Sequence, residues 1–443
     1  MIIDFSVENF ASFNSKQELS MVASTSTKEN FNEDNVLRIE NFGIGSVVKS
    51  AALFGANASG KTNFTKAIVV LKKLVLESLE ANRNDMANII RPFLLNGENI
   101  NLPTEFEISF ISNGHHFRYG ISILSGEVLE EWLYWKENTR ETMLFHREKQ
   151  TIKYNRRSFS EADDFVEEYD DGYIVKKTKK NIPFISVLST FDGEISNCVI
   201  SWFEKLNIIS GINAQGFQYF TTELLENDLD FKVWALDILK SFQIDDIRVV
   251  EEERKKIPRS KEIENSGLVD VISKLEDFID KNKVLSKSIE VIKESSNANG
   301  KYVLPLSLES EGTRKLIYLL GPLYDVVNNN EILVIDEFDN KFHSLLSRFI
   351  LNLFHKYKGS KSQLILTCHD TNLLDSDLFR RDQIWFVEKN PSHESQLYSL
   401  LEYKEHYARR NDSYGRDYLL GKYGAIPLFS DVQIKNLEDQ WNG

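Results

Sequence analysis

The sequence predicts an α/β protein with a mixed sheet, an attached antiparallel β subdomain and an inserted, mostly helical domain. Three observations predict it. A glycine-rich loop, Gly55 to Thr62, stands between a short apolar run, Ala51 to Phe54, and a stretch of helical apolar spacing that begins at Asn63. A second apolar run, Ile332 to Ile335, ends in two carboxylates, Asp336 and Glu337. Between them, Thr104 to Phe110 and Phe117 to Ile123 alternate apolar and polar residues, as half-buried strands do.

Composition bounds the possibilities. A chain of 443 residues suggests roughly two or three domains. The hydrophobic fraction of 42% and charged fraction of 27% are those of a soluble globular protein. Two cysteines, Cys198 and Cys368, exclude a disulfide framework and fit a reducing compartment. No apolar run approaches the roughly 20 residues of a membrane span, and the N-terminus lacks a secretory pattern, so a cytoplasmic protein is expected. The net charge of −14 argues against a surface built for sequence-independent DNA binding, while leaving a local basic groove open.

In chain order, Ile3, Phe5 and Val7 alternate with Asp4, Ser6 and Glu8 and predict an opening strand. The helix from Asn63 is expected to run through Glu80. Asn113-Gly114 between two alternating runs predicts a hairpin. Glu130 to Trp135 extends the β character, and Met143 to Tyr154 adds a further hairpin. These elements make an N-terminal half over residues 1–157. From 158 to 300 helical periodicity dominates, at Ile195–Trp202, Phe220–Asn227, Phe231–Phe242 and Leu268–Asn282. Ile244 to Glu251 reads as a strand, Glu252 to Lys261 as a charged loop, and Ser295 to Gly300 as a turn. Lys176 to Lys180 and Tyr407 to Arg416 read as solvated loops, with a partner or nucleic-acid contact as the alternative. Residues 301–443 form the C-terminal half.

The site is read from both halves. Gly55, Ala56, Asn57, Ala58, Ser59, Gly60, Lys61 and Thr62 follow the phosphate-loop pattern in its strand–loop–helix context. Glycines let successive N–H groups turn inward around an anion. Lys61 is expected to reach the β- and γ-phosphates, and the Thr62 hydroxyl to ligate Mg2+. Asp336 is expected to hold the same Mg2+, and Glu337 to polarise the attacking water. Ser310, Gly312 and Thr313 stand at a helix start that can present N–H groups to an anion.

These residues carry a resemblance. The loop with Asn57 and Asn63 looks like that of RecF- and SMC-type ATPases, and Ser310-Glu311-Gly312-Thr313 looks like the signature of ABC-type ATPases. Val7 to Phe13, Ile335 to Glu337, Thr367 to Leu374, Arg381 to Lys389 and Gly421 to Pro427 together resemble the RloA/AbiL-type abortive-infection ATPases, a group similar to the ATPase subunit of the PARIS anti-phage system. The resemblance implies a P-loop ABC-type ATPase fold that binds ATP and Mg2+, with Asn63 in the loop set and His369 as the switch histidine facing the γ-phosphate. It implies a homodimer or higher homo-oligomer in which Ser310 and Gly312 of one subunit cap the ATP held by another. It further implies a separately encoded effector, of Toprim-like nuclease type, and a phage trigger. The chain ends soon after these motifs, which fits a separate effector. Glu311 replaces the first signature glycine, and His343 stands where transporters carry the D-loop aspartate. A DNA-clamping maintenance or repair ATPase of RecF/SMC type is the alternative.

Overall fold

The apolar run before the glycine-rich loop is the strand Ser50–Phe54, buried at every position. It lies inside a six-stranded sheet in the order Leu206–Ile209, Ile332–Ile335, Gln363–Thr367, Ser50–Phe54, Ile384–Lys389 and Ser395–Ser399. The first five strands run parallel and the last is antiparallel. Ile332–Ile335 and Gln363–Thr367 are buried at every residue, which is why Ile332 to Ile335 and Leu364 to Leu366 are apolar with no alternation. Pairing of Ile335 with Leu366, and of Thr367 with Leu53, brings three strand ends out at one edge. The helix Lys61–Glu77 follows the loop and buries Phe64, Ile68, Leu71 and Val75, one stripe at helical spacing.

The computed structural model describes residues 1–25, 33–80, 87–97, 99–169, 172–209, 215–252, 286–295, 300–340, 342–357, 359–403 and 413–426. The chain divides into one unit formed by Met1–Ile212 with Val326–Gly443, and a second formed by Asn213–Asp325.

In the first unit a nine-stranded antiparallel sheet carries the alternating runs. Its order is Val166–Tyr169, Gly172–Val175, Thr151–Tyr154, Glu141–Glu148, Glu127–Lys136, His115–Leu124, Thr104–Ser112, Ile2–Glu8 and Gln17–Ser20. Asn113 and Gly114 both take positive φ, 46° and 79°, as a two-residue hairpin turn requires. The opening strand Ile2–Glu8 pairs on both sides, so more of it is buried than its alternation suggests. Gln363, fully buried, ties this sheet to the parallel one. Its Oε1 accepts the Ile2 N–H at 2.7 Å, and its Nε2 donates to Ile2 O at 3.1 Å and Val48 O at 3.2 Å.

Two sequence expectations change here. Residues 158–212, expected in the insertion, belong to the first unit. Val166–Tyr169 and Gly172–Val175 extend the antiparallel sheet, and the helices Phe184–Thr190 and Glu194–Glu204 pack on its core, with Trp202 stacked on Phe110 at 4.1 Å. The two short strands sit in an acidic stretch and show no apolar–polar alternation to mark them. The second unit pairs the helices Gln215–Asn227 and Leu229–Leu239 with a three-stranded antiparallel sheet, Asp246–Glu252, Ser286–Ser295 and Gly300–Pro305. Ser286–Ser295 buries Ile289 and Val291 between charged neighbours, and Ile292 is its one other apolar residue, so little marks it as a strand. The helix expected over 268–282 lies outside the described residues, as do most of 252–261 and 295–300, residues 407–412 and Pro427.

The helix Glu311–Asn329 contains Pro322, which has no N–H to give to Tyr318 O. The Thr221 hydroxyl fills that place, donating to Tyr318 O at 2.6 Å. Gly321 permits the approach, since a Cβ there would stand 2.3 Å from Thr221 Oγ1.

Gln363→Leu keeps the volume of the bridging side chain and removes its hydrogen bonds, leaving the buried Ile2 N–H without that acceptor. Chemical denaturation should show a loss of at least about 2 kcal/mol. An unchanged midpoint would mean that apolar contact alone joins the two sheets.

Candidate nucleotide-binding site

The loop Gly55–Gly60 leaves the end of Ser50–Phe54, and the helix begins at Lys61. Its backbone is built by close approach. At Gly55 a Cβ would meet Val387 O at 2.3 Å. At Gly60, with φ of 120°, it would meet Ser395 Oγ at 2.2 Å and Ser12 Oγ at 2.8 Å. Ala58 also takes a positive φ of 61°. Asn57 and Ala58 are exposed at the loop tip, whereas Ser59, Gly60 and Lys61 are buried.

Behind the loop stands a brace that sequence reasoning missed. The Ser395 hydroxyl lies 2.5 Å from Ser59 O and 2.7 Å from Ser12 Oγ, and its N–H donates to Ser12 O at 2.7 Å. Asn63, expected among the nucleotide-binding residues, turns its amide to Ser12 Oγ at 2.9 Å and joins this brace. No motif marks Ser395, which lies 336 residues from Ser59 along the chain.

In front of the loop, Lys61 folds back, donating to Gly55 O at 2.7 Å and Ala56 O at 3.1 Å. Burial pushes its ammonium down to about 8, against the opposing pull of Asp339, Asp336, Cys368 and Glu337. Thr62 Oγ1 donates to Asp336 Oδ1 at 3.3 Å. The Thr367 hydroxyl donates to the same oxygen at 2.7 Å and accepts the Glu337 N–H at 2.7 Å. Glu337 takes a left-handed backbone, φ 52°, and its Oε2 accepts from the Asn340 amide at 3.2 Å. Asp339 Oδ2 accepts the His369 N–H at 2.7 Å and that of Asp370 as well. Partial burial, then the Lys61 cation, hold the His369 imidazole below its usual value.

Thus Lys61, Thr62, Asp336, Glu337 and His369 gather at one edge of the parallel sheet. Ser310 and Gly312 belong to the second unit. There Ser310 caps the helix Glu311–Asn329, its Oγ accepting the Thr313 N–H at 3.1 Å and lying 2.8 Å from Thr313 Oγ1. His343 caps the helix Ser344–Lys356 through Nδ1, which accepts the Leu345 N–H at 3.2 Å.

Among the described residues, no group of three or more His, Cys, Asp or Glu side chains is arranged to hold a metal. The hydroxyl of Thr62 with the carboxylate of Asp336 is the hard oxygen pair that suits Mg2+, an ion that keeps waters and phosphate oxygens as its other ligands.

A phosphate loop on an inner parallel strand, with an acidic pair two strands away, defines the class as a phosphate-loop, nucleotide-binding α/β protein. The family model described as "AAA domain, putative AbiEii toxin, Type IV TA system" matches residues 50–168 and 202–375, and the chain belongs to that family. Among solved structures, the chain is similar to an SMC head bound to the C-winged helix domain of ScpA, at 14% identity over 90% of this chain and 97% of that one, with a TM-score of 0.44. The SMC head domain from Thermotoga maritima gives 14%, 90%, 98% and 0.39. The Smc head domain with an extended coiled coil, bound to the C-terminal domain of ScpA derived from Pyrococcus furiosus, gives 15%, 90%, 96% and 0.36. No curated protein matches the chain. No helix among the described residues is long and apolar enough to cross a membrane.

With Lys61 titrating near 8, binding of a polyphosphate takes up a proton above that pH. Calorimetric affinity for a nucleoside triphosphate should be flat below about pH 7 and fall by up to about tenfold per unit above pH 8. A profile flat to about pH 9.5 would remove Lys61 from anion binding.

Proposed function

We propose that the chain is an ATP-binding and ATP-hydrolysing switch of a bacterial anti-phage, abortive-infection system. Two or more copies close around ATP and Mg2+ and thereby hold or release a separately encoded effector, a nuclease of Toprim-like type. The observation that carries the enzymatic part is the hydrogen-bonded chain Thr62–Asp336–Thr367–Glu337 beside the phosphate loop. It supplies a metal-binding pair and a general base within one constellation. The family's description, which names a type IV toxin–antitoxin system, supports a setting in which two gene products act together. The RloA/AbiL-like motifs support the phage-defence placement.

The residues take these roles. The loop N–H groups receive the phosphates, and Lys61 leaves the Gly55 and Ala56 carbonyls for the β- and γ-phosphates. Thr62 and Asp336 hold Mg2+, which neutralises charge on the phosphate oxygens when bound. Glu337 takes the proton of the attacking water. His369 reaches the γ-phosphate and donates a ring N–H hydrogen bond to it. Ser310 and Gly312 from a second copy close the site, the Ser310 hydroxyl and the helix N-terminus facing the γ-phosphate. Hydrolysis removes the group that both copies hold, and the copies part.

Phosphate release by the purified chain tests the reading. Lys61→Ala should lose nucleotide binding. Glu337→Gln should bind ATP, release phosphate at least about 100-fold more slowly, and elute as a larger species with ATP than without. Hydrolysis by Glu337→Gln at the wild-type rate would sink the assignment of the base.

A further inference from the structure

Two loops carry the reacting groups: residues 336–340, with Glu337, and residues 368–370, with His369. Each gives its N–H groups to an acceptor supplied by the other strand end. The Glu337 N–H goes to Thr367 Oγ1 at 2.7 Å, and the Phe338 N–H to Thr367 O at 3.0 Å. In return, the N–H groups of His369 and Asp370 go to Asp339 Oδ2. Thr367 is fully buried, and its own proton goes to Asp336 Oδ1 at 2.7 Å. Its hydroxyl is therefore spent in both directions, on the metal-side carboxylate and on the backbone of the proposed base.

We propose that Thr367 is a positioning residue for hydrolysis, its hydroxyl fixing Asp336 and the Glu337 backbone together while Asp339 ties the His369 loop to the same turn. The inference rests on the ATPase reading. Glu337 shows why such a residue is needed. A non-glycine residue at φ 52° stays there only where neighbours over-determine it, and the Thr367 hydroxyl is one such constraint. Freed from it, Glu337 relaxes and its carboxylate leaves the line of the attacking water, whereas the phosphate loop, braced by Ser12 and Ser395, keeps its shape. Loss of the hydroxyl therefore lowers kcat and spares nucleotide affinity.

Thr367→Val removes the hydroxyl and keeps the shape, Thr367→Ala removes it in a smaller side chain, and Thr367→Ser keeps it. Expected are ATP dissociation constants within about threefold of wild type for all three, a kcat lowered roughly 10–100-fold in the valine and alanine variants, and near-wild-type turnover for serine. Amide hydrogen exchange over 336–340 reads the same bond without turnover and should quicken in valine and alanine but not in serine. Wild-type exchange in both hydroxyl-less variants overturns the inference, as does wild-type kcat in either. A wild-type protein that releases no phosphate overturns the ATPase reading instead, and the exchange measurement still decides whether Thr367 holds the turn.

Discussion

The hydrogen bond from Thr367 to Asp336 exists because the strand Gln363–Thr367 is inserted between the strand that carries the phosphate loop and the strand that carries the acidic pair. Two strand spacings amount to about 10 Å. The loop arches over the intervening strand end, so that Thr62, in the first helical turn, comes within 3.3 Å of Asp336. Thr367 is then the residue beneath the arch, and a hydroxyl there can touch both sides. The pairing of Thr367 with Leu53, and of Leu366 with Ile335, makes that possible. A slip of one residue would turn the hydroxyl to the other face of the sheet.

The loop is held as firmly from behind. Gly60 has no room for a side chain because Ser395 and Ser12 stand against it, and those serines bond to each other and to Ser59 O. Ser12 follows the first strand of the antiparallel sheet, and Ser395 opens the last strand of the parallel one. The nine-stranded and the six-stranded sheet of the first unit therefore converge on the six residues Gly55–Gly60. Gln363 joins the same two sheets at the opposite end of its strand from Thr367. One strand thus sets both the spacing of the sheets and the position of the acidic pair.

How much of this was legible in the sequence follows from how local each signal is. The loop, the strand before it and the acidic strand announce themselves within ten residues, because glycine, lysine and consecutive carboxylates are required at fixed offsets. Asn113-Gly114 marks its hairpin for the same reason, as both residues must take positive φ. Strand order has no local signal, so the place of Gln363–Thr367 and the role of Thr367 were not readable. Ser12 and Ser395 are ordinary serines until the fold joins them. Asn63 was expected on the nucleotide side and faces the brace, because its position in the helix points the amide towards Ser12. Charge obscured the short strands Val166–Tyr169 and Gly172–Val175 and the longer Ser286–Ser295, which depend on their neighbours more than on their own composition.

The charges gathered at the edge of the sheet explain which form of nucleotide suits it. Asp336, Glu337 and Asp339 face one lysine, which is itself turned away onto loop carbonyls and pushed down by burial. A free triphosphate would add its negative charge to a site whose formal charge is already negative. A metal-bound nucleotide would bring a cation to the Thr62–Asp336 pair, and its phosphates beside the buried Lys61 would favour the protonated ammonium. The carboxylates that would repel bare nucleotide are thus the groups suited to accept a metal complex.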